Sequence, residues 1–156
     1  MWYPESKPQI ARALRQKSEF TEEFMDHVLR SIENLGRHFP LVLLDLGGKR
    51  SAENAAILNL STHCIILSSD PTETNLWKEF AEAADVVVIA DFESKQVKLP
   101  DGSLDSSVRS EILLETIPVK GILFNLTRAG DAHFYRESVS EFATWLVQKF
   151  VRSNVK

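Results

Sequence analysis

Apolar residues at Phe24, Val28, Ile32 and Leu35 follow spacings of four, four and three, a period that predicts an amphipathic helix opening at Phe20 and Thr21. Thr21 can supply the N-cap oxygen, Glu22 and Glu23 suit the positive end of the helix dipole, and Gly36 reads as the stop. Ahead of it, residues 7–17 are rich in helix formers. After Pro40 the pattern changes. LVLLDL over residues 41–46 is apolar without alternation, which predicts a strand covered on both faces. Gly47 and Gly48 break it, and residues 51–60 read as a short helix with Ala52, Ala55, Ala56 and Leu60 free to pack closely. HCIIL at 63–67 predicts a second buried strand. Asp70, Pro71 and Glu73 then form a cap, a first helical position and an acidic third position, opening a helix to about Ala84. VVVIA at 86–90 and VKGILFNL at 119–126 predict two further strands, and the Pro-Asp-Gly turn in KQVKLPDGSLD between them can close a hairpin. The chain finishes in a helix whose Val139, Phe142, Ala143, Leu146 and Phe150 fall on one face.

Buried strands that alternate with helices need crossover connections. The expected fold is therefore α/β: three layers, with a mostly parallel central sheet of about four or five strands and helices on both faces, in the Rossmann-like or P-loop-like manner. The 156 residues suit a single domain, with 1–36 as an N-terminal helical region and 40–151 as the sheet and its covering helices. A composition of 44% hydrophobic and 26% charged residues excludes a disordered, collagen-like or coiled-coil chain. The net charge of -4 gives no attraction for duplex DNA, and the acidic excess lies in residues 41–100. The lone Cys64 cannot form an internal disulfide, and no stretch reads as a signal peptide or membrane span. The expectation is a cytoplasmic protein with no membrane association.

In an open parallel sheet the ligand crevice lies at the carboxyl ends of the strands. Those ends offer Asp45, Gly47 and Gly48; Ser68, Ser69 and Asp70; Asp91, Glu93 and Ser94; and Asn125, Thr127 and Arg128. The strongest motif is LVLLDLGGKRSAEN. A carboxylate ending a strand suits a hard divalent cation, glycine lets a main-chain N–H approach a phosphate, and Lys49 and Arg50 add positive charge. The same residues also serve a tight strand-to-helix turn, with Gly47 or Gly48 at positive φ. The phosphate loop GxxxxGK[ST] is absent from residues 1–156: Leu43 stands where its first glycine would be, and Arg50 follows Lys49. The four histidines lack zinc spacing, Cys64 reads as a core thiol, Ser68 and Ser69 lack a nucleophile elbow, and Trp77 and Trp145 read as packing residues.

Taken in order, FTEEFMDHVLRSI, LVLLDLGGKRSAENAAIL, STHCIILSSDPTETNLWKEFAE, VVVIADFES and ILFNLTRAG resemble the P-loop, kinase-like ATPase module fused to the small ring nuclease domain in some type III CRISPR-associated proteins. The resemblance covers roughly residues 18–150. It implies a role near cyclic oligoadenylate signalling in antiviral defence, with ATP and Mg2+ as ligands. Asp45 would be the metal anchor; Gly47, Gly48, Lys49 and Asn54 would lie toward nucleotide, with Ser68 and Arg128 at neighbouring strand tips. In that family the module begins with a phosphate-loop strand and helix, and this sequence starts downstream of both. The expected protein is thus a degenerate or split nucleotide-binding module, not catalytic alone. The alternative is a noncatalytic cyclic-oligonucleotide sensor or assembly partner. A sheet without its first strand would leave an edge to cover, so a homodimer or a separately encoded nuclease or ATPase partner is expected.

Overall fold

A computed structural model describes residues 21–126 and 132–152 of the chain. Helix α1 (Glu22–His38) begins as the sequence predicts: the Thr21 side chain accepts from the Phe24 amide at 3.2 Å. It ends two residues past Gly36, with Phe39 as C-cap: Gly36 does not take positive φ, a conformation glycine permits but does not impose. Met25, Val28, Leu29 and Ile32 are half-buried, and no residue of α1 is fully buried. The predicted helix at 7–17 lies outside the described residues.

Residues 41–46, expected as a central strand, form no strand at all. They are alternately exposed and half-buried, with Leu43 72% exposed. Their apolarity is satisfied only on one side, where Leu46 packs against the cluster of Leu58, Ala81 and Val86. Helix α2 (Ala52–Leu58) follows, capped by Ser51.

The sheet is built from β1 (His63–Ser68), β2 (Val87–Lys95), β3 (Glu111–Leu113) and β4 (Val119–Phe124) in the order β1-β2-β4-β3. Strands β1, β2 and β4 are parallel, and β3 runs antiparallel to β4. Three of the four predicted strands are thus present, and the short β3 joins in place of residues 41–46. β2 outruns its predicted end at Ala90 by five residues. Opposite Cys64 and Ile65 it carries one extra residue, Ile89, which shifts the register. The Pro-Asp-Gly turn closes a small hairpin as predicted. Leu99 N donates to Ser103 O, Lys98 and Leu104 form a bridge, and Gly102 takes φ +85.

Helix α3 (Pro71–Ala83) connects β1 to β2, with Asp70 as N-cap accepting from Thr72 N and Pro71 in the first turn. Helix α4 (Arg136–Leu146) follows β4 and runs into a wider turn, Val147–Val151. The two helices lie on opposite faces, because consecutive strand residues point to opposite sides: Asp91 meets Lys78 of α3, while Phe92 meets Phe142 of α4 edge-on at 4.9 Å. The expected helix-covered α/β sheet is therefore present, with four strands. Its main core joins Phe92, Val119, Leu123, Phe142 and Leu146, each contributing about 1.5–3 kcal/mol on burial. On α4, Phe142 and Leu146 point inward, while Val139 and Ala143 of the predicted face are exposed.

Candidate functional site

The bend at residues 45–50 is held by three sets of contacts. The Asp45 carboxylate is exposed and accepts from Gly47 N at 3.0 Å, closing a side-chain turn while Gly47 takes φ +67. From α2, the Asn54 carboxamide donates to both Leu46 O and Lys49 O at 2.6 Å, clasping the bend on either side. The Arg50 guanidinium bonds to the Glu73 carboxylate and lies 5.7 Å from the Trp77 ring centroid, both on α3. That helix starts directly after β1. The bend is therefore tied beside the carboxyl end of β1, although the segment bearing Asp45 is outside the sheet. No atom lies within 4 Å of the position a Cβ would take at Gly47 or Gly48, so the bend opens to solvent. Among the described residues Lys49 makes no ion pair, whereas the charge of Arg50 is neutralised by Glu73.

The other tip residues are more committed. The Ser68 hydroxyl donates to Asp70 O at 3.0 Å and accepts from Asp70 N at 3.1 Å, so it is spent in the turn into α3. Glu93 pairs with Lys95 at 2.8 Å. Asn125 is fully buried, and its carboxamide accepts from Val97 N and donates to Asp105 O. Thr127 and Arg128 lie outside the described residues. Asp91 is displaced from its expected place: because β2 continues to Lys95, it stands mid-strand, bonded to Lys78 at 2.7 Å and Lys120 at 2.5 Å. Burial alone would raise its carboxyl pKa, but the two ammonium groups outweigh that and hold it below the usual range.

On the α3 side of the sheet a shallow hollow is lined by Asp91, Glu93, Glu111, Leu113 and Lys120. Asp91 and Lys120 pair across it, Glu93 pairs with Lys95 outside the lining, and no cysteine, serine or histidine lines it. Cys64 packs against the second core cluster, and burial pushes its thiol pKa up, as suits a core residue rather than a nucleophile. Among the described residues no group of three His, Cys, Asp or Glu side chains could hold a metal ion. No described helix is long and apolar enough to cross a membrane.

Comparison with protein-family models, curated proteins and solved structures finds no match. Sequence reasoning named Asp45, Gly47, Gly48, Lys49 and Asn54 together, and the structure places the first four in one bend with Asn54 clasping it from α2. It missed the anchoring of that bend by Arg50 to Glu73 and Trp77, which no local spacing signals because the partners lie 23 or more positions apart.

Proposed function

We propose that this chain is a nucleotide-linked α/β module of the kinase-like, P-loop type, one part of a split site rather than an enzyme by itself. The observation that carries the reading is the open bend with an exposed carboxylate at Asp45 and, at Lys49, an ammonium group that makes no ion pair among the described residues, both held beside a strand tip by Asn54 and Arg50. A lone carboxylate does not hold free Mg2+. It does fit Mg2+ that arrives on the phosphates of ATP, which keeps most of its waters and takes one or two carboxylates directly or through water. Bound there, the metal would neutralise phosphate charge, with Lys49 adding a second positive charge. The open space at Gly48 lets a phosphate approach the main chain. Without GxxxxGK[ST] in residues 1–156, the loop that cradles the remaining phosphates would come from outside these residues, so turnover by residues 1–156 alone is not part of the proposal. The resemblance supplies the setting: antiviral signalling by cyclic oligoadenylate in the cytoplasm.

Isothermal calorimetry tests it. The expected result is weak binding of ATP that requires Mg2+, is abolished in Asp45→Ala and falls about tenfold in Lys49→Ala, a loss of about 1.4 kcal/mol. Binding of ATP that ignores Asp45→Ala would overturn the reading. Binding of cyclic oligoadenylate in EDTA would favour the noncatalytic sensor instead.

A further inference from the structure

The two cations of the bend are held differently. Lys49 makes no ion pair among the described residues, whereas Arg50 Nη1 donates to Glu73 Oε2 at 2.5 Å and the guanidinium lies 5.7 Å from the Trp77 ring centroid. A guanidinium carries several N–H donors in a fixed fork, and a carboxylate or phosphate can take two of them in parallel. Glu73 takes one. Among the described residues no other group accepts a hydrogen bond from Arg50, so most of the fork is uncommitted. The pair is also partly wet, with the Arg50 side chain 27% exposed and that of Glu73 44%. A single-point pair in that setting is weak, and it gives way to an acceptor with more charge and a better match to the fork. A polyphosphate chain is such an acceptor.

We infer that Glu73 is a built-in competitor at this site: it holds Arg50 until a polyphosphate arrives at the bend, and then yields it to the phosphate oxygens. The inference rests on the nucleotide reading and adds a regulation to it. The surroundings suit an exchange of acceptors. Trp77 supports the guanidinium by its ring, a contact that needs no carboxylate. Asn54 clasps the bend from α2 through Leu46 O and Lys49 O, so the bend keeps its shape whichever acceptor Arg50 has. Glu73 lies in the first turn of α3, where the positive end of the helix stabilises its charge once Arg50 has gone. Lys49 and Arg50 are chain neighbours, and one polyphosphate can engage both.

Calorimetric titration with inorganic pyrophosphate in EDTA tests the inference without base or metal. Glu73→Gln should tighten binding at least about threefold, and Arg50→Ala should weaken it about tenfold. In the double variant the gain from Glu73→Gln should vanish, because no guanidinium is left to release. A pair that only braces the bend gives the opposite sign, since Glu73→Gln would then loosen the bend and weaken binding. A general charge effect of Glu73 would survive in Arg50→Ala. A second measurement needs no variant: the Arg50 Nε–H resonance of the native protein should move on addition of pyrophosphate. Binding that Glu73→Gln weakens or leaves unchanged, a gain that persists in Arg50→Ala, an unmoved Arg50 resonance, or no binding of pyrophosphate at all would each overturn the inference. The nucleotide reading fails separately, by ATP binding that ignores Asp45→Ala, because pyrophosphate in EDTA brings no metal for Asp45 to hold.

Discussion

Replacing Asn125 by alanine should remove about 3 kcal/mol of stability. The side chain acts as a peptide group would: it accepts from Val97 N at 3.0 Å and donates to Asp105 O at 3.1 Å, tying both strands of the 97–105 hairpin to the end of β4. Its own amide donates to Lys95 O at 2.7 Å, and its backbone takes φ +55. Leaving the two hairpin groups unpaired costs about 1 kcal/mol each, the lower part of the range because both lie in half-buried surroundings. Holding alanine in the left-handed region adds about 1 kcal/mol. Glycine relieves that last cost, so Asn125→Gly should lose only about 2 kcal/mol. For a domain of this size the alanine variant should melt about 6–12 °C lower. Urea unfolding followed by Trp77 and Trp145 fluorescence gives the free energies, and amide exchange at Val97 reports the hairpin directly. An alanine variant within about 1 kcal/mol of the parent, or a glycine variant less stable than the alanine one, would refute the reasoning.

Two further outcomes follow from the sheet. A methyl group at Gly121 would stand 2.5 Å from Glu111 O and 3.0 Å from the Ile112 side chain, so Gly121→Ala should cost about 1–3 kcal/mol and release β3 first, seen as faster amide exchange at residues 111–113. For Asp91, a carboxyl held below its unfolded value of about 3.9 contributes stability above that pH and loses it as pH falls through the folded value. Asp91→Asn should therefore be about 1–2 kcal/mol less stable at pH 7, modest because both lysine partners are partly exposed, with the gap to the parent closing in acid. A denaturation series across pH measures it, and a gap that persists unchanged into acid would count against the two lysines as its cause.

Local chemistry was legible where one residue settles its own neighbourhood. Thr21 and Asp70 cap, Pro71 starts a helix, and Pro100, Asp101 and Gly102 turn a hairpin. The parallel strands β1, β2 and β4 could be read from continuous apolar runs. The same rule failed at residues 41–46, because apolarity says that a segment needs cover and says nothing about whether a backbone neighbour stands beside it. The end of β2 was placed too early for the opposite reason. Asp91, Glu93 and Lys95 look like loop residues, but Lys78 and Lys120 neutralise the first and the other two pair with each other, so the ladder continues. β3 has only three residues and no alternation to find. At the candidate site the carboxylate and the glycines were visible in sequence, while the clasp from Asn54 to Leu46 and Lys49 is a tertiary fact with no spacing signature.

The extra residue at Ile89 decides which core each half of β2 serves. Ahead of it Val86 and Val88 belong with Leu58 and Ala81; beyond it Ala90 and Phe92 belong with Phe142 and Leu146. Strict alternation would have kept Phe92 on the side of Val88 and turned Asp91 into the main core, so one inserted position lets a single strand seal two compartments while its carboxylate stays with the lysines.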